Sequence, residues 1–279
     1  MTKTLNHIFF FLHLNQNIFS AALEIRIFSF RKYENLFSSQ QFGFRPHHRT
    51  TDSLFILKTL ISKYVLKKKA KMFSCFVDLR KAFDTVWHNG LLYKLRTNKI
   101  GHKFFNIIQN MYNLCQSAVK IDNKHSNYFN LEKGVEQRGS LCPTLFNCFI
   151  NDIHDIFDQS CDAIKLDHTL VSSLSFADDL VIFSESHKGL QNALYKLQKY
   201  CFDWQLTVNI NKTKILTFQK TFSPTPMLFY EHKPLTETKE YNFLGTVVDH
   251  KGCFKRGIQE LSKKEFKGFI FFAKTFLKF

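Results

Sequence analysis

This chain of 279 residues is notable first for what is missing. It has no internal repeat, long linker or low-complexity tract, so its length points to one large domain or two small ones. No stretch approaches the roughly 20 consecutive apolar residues of a membrane span. Near the start, Ile8-Phe9-Phe10-Phe11-Leu12 follows Lys3 and precedes Ser20-Ala21-Ala22, an imitation of a secretion signal. That run is short and broken by His13, Asn15 and Gln16. The expectation is an intracellular protein, nuclear or cytoplasmic, that is not secreted and has no membrane partner. Cysteines stand at 75, 115, 142, 148, 161, 201 and 253, with no C-x-x-C and no histidine spacing suited to zinc. An odd, patternless set suits a reducing compartment, with most thiols acting as small apolar side chains. Acidic residues are also scarce: 23 Asp and Glu against 39 Lys and Arg, a formal net charge of +16. Such an excess suits a polyanionic partner, although a merely soluble basic protein shows it too. Lysine outweighs arginine among the cations, which favours phosphate contact over base reading.

What is present is 44% apolar content, enough for a core, in segments of changing period. Residues 1–40 read as helical and apolar without a clean face. Gln41-Phe42-Gly43-Phe44-Arg45-Pro46 is turn-rich, and Thr50-Thr51-Asp52 offers an N-cap for a helix carrying Leu54, Leu57, Ile61, Tyr64 and Val65. The basic run Lys67-Lys68-Lys69-Ala70-Lys71 closes that helix, where cations complement the dipole. A strand runs from Met72 to Asp78. A helix follows through Phe104, Ile107, Ile108, Met111 and Tyr112, then two strands around Asn123-Lys124. Pro143 can open a helix whose stripe is Phe146, Phe149, Ile150, Ile153, Ile156 and Phe157. Leu190, Ala193, Leu194, Leu197, Tyr200 and Trp204 mark another amphipathic helix, and Leu206 to Phe218 returns as strand. Strand, helix, hairpin, helix, strand is the split βαβ order, which packs two helices on an antiparallel sheet.

The hairpin in that order is Leu174-Ser175-Phe176-Ala177-Asp178-Asp179-Leu180-Val181-Ile182-Phe183, two apolar runs with Asp178 and Asp179 at the tip. Adjacent anions repel, which raises the pKa of one unless a cation holds them. Asp also occurs in solvated turns for conformational reasons. The strand from Met72 ends on a third carboxylate, Asp78, and the topology brings it beside the hairpin tip.

These residues carry a resemblance. Phe176-Ala177-Asp178-Asp179 resembles the aromatic-Ala-Asp-Asp motif of reverse transcriptases. Phe76-Val77-Asp78-Leu79-Arg80-Lys81-Ala82-Phe83-Asp84 resembles the upstream aspartate motif of non-LTR (LINE-type) retrotransposon polymerases. Further motifs follow in the family's order over roughly residues 20–260, and an ordered set is more specific than any single one. Gly134 to Asn147 is similar to the template- and nucleotide-facing loop and helix, with Gln137 in place and Arg138 where the family has glycine. Asn209, Lys212, Thr213 and Lys214 match an Asn-x-x-Lys-Thr-Lys motif, and Tyr241-Asn242-Phe243-Leu244-Gly245 resembles the primer-grip hairpin. In the fingers, Gln41-Phe42-Gly43-Phe44-Arg45 matches, as does Arg26.

The resemblance implies an α+β right-hand polymerase, truncated at both ends, with a ferredoxin-like antiparallel sheet in the palm. Fingers would occupy 1–71, the palm with part of the fingers 72–250, and a thumb fragment 251–279. It implies RNA-directed DNA synthesis with two Mg²⁺ ions, or Mn²⁺ in their place, on Asp78, Asp178, Asp179 and the Leu79 carbonyl. Three hard carboxylates suit such ions and the in-line phosphoryl chemistry they support. Lys212 would supply charge or a proton to the departing pyrophosphate. Phe83 would exclude a 2′-hydroxyl, with Arg45 and Gln137 also meeting the nucleotide; on composition alone Phe83 is a core aromatic. Tyr241, Leu244 and Gly245 would hold the primer, and Asp84 is read as structural. The implied partners are an RNA template, a DNA primer and deoxynucleoside triphosphates. Two other readings remain: an inactive remnant that keeps the fold and binds nucleic acid, and a non-enzymatic RNA-binding ferredoxin-like module whose Asp residues are turn residues.

Overall fold

The computed structural model describes residues 20–26, 37–98, 100, 102–121, 124–135, 139–157, 161–166 and 169–255. After a helical turn at 20–26, helix α1 (Thr50–Leu60) continues as a π-helical stretch, Ile61–Lys67. Strand β1 is Met72–Asp78, followed by helices α2 (His88–Thr97), α3 (His102–Asn113) and α4 (Cys142–Ile150). Strands β2 (Ser173–Phe176) and β3 (Asp179–Ser184) form the carboxylate hairpin, and α5 (His187–Asp203) leads to β4 (Lys214–Phe218) and β5 (Thr236–Glu237). A small sheet of β6 (Glu240–Phe243), β7 (Thr246–Asp249) and β8 (Phe254–Lys255) closes the described chain.

The main sheet has the order β5-β4-β1-β3-β2, antiparallel except for the β4–β5 edge. Helices packed on a mostly antiparallel sheet are what the split βαβ reading expects. Strand β1 lies at its centre and is buried on both faces, which is why its sequence runs apolar instead of alternating. Cys75 and Val77 face a core shared with Leu91 and Leu95 of α2, Phe146 and Phe149 of α4, and Leu190, Leu194 and Leu197 of α5. Met72 and Phe76 point the other way, into a second core with Leu57 and Leu60 of α1, Ile61 and Val65, and Phe243 and Val248 of the small sheet. The period of two in β1 thus separates two cores. Helix α5 begins where Ser186 caps it, its side chain accepting from the Gly189 amide.

Two boundaries differ from the sequence reading. The stripe expected to run as helix to Phe157 leaves the α-helix at Ile150 for a 3₁₀ turn, Asn151–Ile153, and then an irregular turn, although Ile153 and Phe157 are buried as expected. The strand expected from Leu206 begins only at Lys214. Before it, Val208 pairs with Leu79 in an isolated antiparallel bridge, and residues 209–213 then form a turn, because the Asn209 carbonyl accepts from the amides of both Lys212 and Thr213. Of the segment read as a thumb fragment, residues 256–279 lie outside the described residues.

Candidate active site

The central strands carry the three carboxylates to one end of the sheet. Antiparallel pairing of β1 with β3 sets Asp78 opposite Asp179, and pairing of β2 with β3 sets Phe176 opposite Asp179. The two turn residues of the hairpin are therefore Ala177 and Asp178, with Asp179 already the first residue of β3. The sequence reading placed the tip one residue later. Ala177 takes a φ of 58°, as the first position of a II′ turn requires, although glycine usually stands there. Asp178 is half-buried and Asp179 exposed, while the residues that follow in β3, Leu180 and Val181, are buried.

That half-wet position sets the electrostatics. Burial, then repulsion from Asp178 and Asp78, pushes the Asp179 carboxyl up to about 6. Asp178 is also raised, by burial first and with a smaller push from Asp78, against a backbone hydrogen bond that lowers it. The nearby cation is Lys212, whose Nζ lies 3.9 Å from Asp78 Oδ1 on a side chain 70% exposed. An exposed pair of that kind contributes little stability and cannot neutralise three anions. The lysine is aimed there by its turn: the Asn209 amide donates to the Asp78 carbonyl, and the Asp78 amide donates to Thr213 Oγ1. The Asp78 carbonyl and the Arg80 amide both bond toward the 207–209 segment. Strand alternation then turns the Leu79 carbonyl toward the hairpin side. Among the described residues, no three His, Cys, Asp or Glu side chains converge into a metal-ligating group.

Two aromatic stacks hold further residues of the motif set. Phe83 stacks on Phe146 at 4.4 Å between centroids, with Phe44 edge-on to it at 6.2 Å. It is half-buried and packs at the margin of the core. Opposite, Tyr241 of β6 stacks on Phe76 at 4.3 Å. Burial, then the charges of Asp179 and Asp78, raise its phenol to about 12, which marks how close it lies to the anions. The β6–β7 turn is Leu244-Gly245, with φ of 49° and 77°, a tight hairpin as its sequence suggests.

Comparison with known proteins settles what this arrangement belongs to. The family model for reverse transcriptase (RNA-dependent DNA polymerase) matches residues 14–248. The chain belongs to the reverse transcriptase family. It is 30% identical over 227 residues to the RNA-directed DNA polymerase from mobile element jockey of Drosophila funebris, covering 79% of this chain and 24% of that one. It is 24% identical over 251 residues to a probable RNA-directed DNA polymerase from transposon X-element of Drosophila melanogaster, covering 88% and 26%. The chain thus spans about a quarter of the length of these relatives. A solved telomerase of Candida tropicalis, in complex with a fragment of telomeric RNA, has the same fold, with a TM-score of 0.63 at 12% identity over 90% of this chain and 39% of that one.

Other members of the family's motif set lie elsewhere or do something further. Nη1 of Arg45 donates to the carbonyls of Ser38 at 2.7 Å and Gln41 at 2.9 Å, tying the fingers turn together. Arg26 is exposed on the turn at 20–26. Gln137 and Arg138 lie outside the described residues. Asp84 caps a turn through its amide, which donates to the Lys81 carbonyl. Gln41 and Gly43 touch the carboxylate hairpin directly, a contact that no spacing in the sequence reveals. A Cβ on Gly43 would lie 2.1 Å from the Ala177 nitrogen, so only glycine permits the approach.

Proposed function

We propose that this chain is the polymerase core of an RNA-directed DNA polymerase, adding deoxynucleotides to a primer on an RNA template. The observation that carries the proposal is the pairing of Asp78 with Asp179 beside Asp178, which crowds three carboxylates with no cation sufficient to balance them. The donor set fits a hard divalent cation: three oxygen ligands on adjacent residues, with two pKa values raised by burial and mutual repulsion. Asp78 and Asp179 are already cross-strand partners, so side-chain rotation alone brings their oxygens together. Asp78, Asp178, Asp179 and the Leu79 carbonyl would hold Mg²⁺. When bound, the ions would lower the pKa of the primer hydroxyl and stabilise charge on the leaving pyrophosphate.

The remaining roles belong to the chain's own residues. Lys212, held beside Asp78, supplies charge or a proton on the pyrophosphate side. Phe83, braced by Phe146, presents a ring where a 2′-hydroxyl would collide, which selects deoxynucleotides. Arg45 and Gln137 meet the triphosphate and base. Tyr241, Leu244 and Gly245 hold the primer end, with Tyr241 fixed against Phe76. The net charge of +16 suits the template and primer backbones. RNA as template is favoured by the relatives' RNA-directed activity and by the RNA bound to the telomerase neighbour.

The test is primer extension on an RNA template with deoxynucleotides and Mg²⁺. The expected product is alkali-stable DNA that disappears when EDTA is added. Binding of template and primer with no extension at any Mg²⁺ or Mn²⁺ concentration would overturn the assignment and leave an inactive nucleic-acid-binding remnant.

A further inference from the structure

The strained turn that carries Asp178 needs something to hold it. Alanine at a φ of 58° sits in a region that costs an L-residue energy, and it persists only where the surroundings over-determine it. What surrounds it is the side-chain amide of Gln41, which is 1% exposed. Its Nε2 donates to the Ala177 carbonyl at 3.1 Å, and its Oε1 accepts from the Ala177 amide at 2.9 Å. The same Oε1 accepts from the Gly43 amide at 2.8 Å, so one amide group bonds both polar atoms of a single turn residue and its own loop.

The backbone continues the clamp. The Phe42 amide donates to the Ser175 carbonyl at 2.8 Å, and the Ser175 amide donates to the Gln40 carbonyl at 2.9 Å, an isolated parallel bridge between fingers and hairpin. The loop is held in turn from the helix side, where Asn147 Nδ2 of α4 donates to the Gly43 carbonyl at 2.7 Å. Gly43, with no room for a side chain, lets the loop press directly on the turn.

We propose that Gln41 is a positioning residue for the metal-binding carboxylates: its amide fixes the Ala177 peptide and so sets the direction in which Asp178 and Asp179 leave the turn. This rests on the polymerase reading of the site. The chemistry asks for it, because three anions that repel one another spread apart unless their backbone is rigid. Groups one step behind a metal's ligands orient them, and their loss weakens metal affinity by about tenfold or more.

The test combines Mn²⁺ binding, followed by electron paramagnetic resonance, with hydrogen exchange of the Ala177 amide. Gln41→Met keeps the volume and removes all three bonds. Ser173→Ala is the control: it removes two side-chain bonds in the same hairpin, from Ser173 Oγ to Gln40 Oε1 and between Ser173 Oγ and His154 Nδ1, and none made by the Gln41 side chain. The expected result is an Ala177 amide that exchanges slowly in the parent, about tenfold weaker Mn²⁺ binding in Gln41→Met, and unchanged binding in Ser173→Ala. Parent and Gln41→Met binding Mn²⁺ equally would overturn the positioning role. Should Gln41→Met fail to fold, exchange of Ala177 in the parent still decides, since the rate of an open turn there would overturn the clamp. A parent that binds no Mn²⁺ while Ala177 stays protected would overturn the polymerase reading, and the positioning role with it.

Discussion

The molecule has two places where burial shifts the titration of charged groups, and they are built in opposite ways. At Lys94 in α2 every polar atom is answered. Its Nζ donates to the Phe149 carbonyl, to Asp152 Oδ1 and to the Tyr200 hydroxyl at 2.6–2.7 Å, and it lies 3.7 Å above the Trp204 ring. Burial pushes its ammonium down to about 8, against the pull of Asp152. At the carboxylate end of β1 and β3 three anions gather with one exposed cation beside them, Lys212, 3.9 Å from Asp78. The first arrangement is what folding stability selects when a cation is buried. The second leaves like charges together, and pKa shifts of this kind gather at functional sites. The first lies among the helices packed on the sheet and the second at the end of its central strands.

The comparison can be broken from either side. The largest effect should come from Asp178→Asn, which lowers primer extension on the order of a thousandfold or more. Binding of primer–template should stay intact or strengthen, because an anion facing phosphate has been removed. Next is Lys94→Ala. It should cost about 3 kcal/mol in a denaturant titration, the lower end for stripping one partner from a buried pair, because Asp152 keeps 43% of its side chain exposed. Extension per folded molecule should not change. A Lys94→Ala protein as stable as the parent would show that the cage is incidental.

Smaller is Phe83→Ala, which should reduce discrimination against ribonucleotides by about tenfold, read from competing single-nucleotide incorporations. Equal loss with both sugars would identify Phe83 as packing alone. The smallest effect is on pH. Asp179 binds its proton more tightly folded than unfolded, because its carboxyl is raised from 3.8 to about 6. Its contribution is therefore fully present at low pH and is lost as pH rises through about 6. The melting temperature of the metal-free parent, relative to Asp179→Asn, should fall across that window, and Mg²⁺ should reverse the fall.

The sequence shows the two regions unequally. Met72-Phe73-Ser74-Cys75-Phe76-Val77 announces a strand buried on both faces, and the hairpin after Ser173 is legible to within one residue because its turn is short and its flanks apolar. Lys94 is not legible at all. Its partners lie on α4, α5 and the turn after Ile150, and only tertiary packing assembles them. Residues 206–213 read as strand, and Val208 does bridge to Leu79, while the bonds to the Asn209 carbonyl that turn the chain over 209–213 leave no periodic trace. Gln41 falls between these cases. Its place in Gln41-Phe42-Gly43-Phe44-Arg45 marks it, but that its amide grips Ala177 is visible only when the fingers loop lies against the hairpin.

The account turns on whether the three aspartates form the catalytic centre. The most direct measurement is Mg²⁺-dependent extension of a primer on an RNA template by the parent and by Asp178→Asn, with the melting temperature of each taken on the same preparation. The account predicts DNA product from the parent alone, and an Asn variant that melts at the same temperature or higher, since it has lost a repelling charge. An Asp178→Asn protein that extends primers at the parent's rate would contradict it.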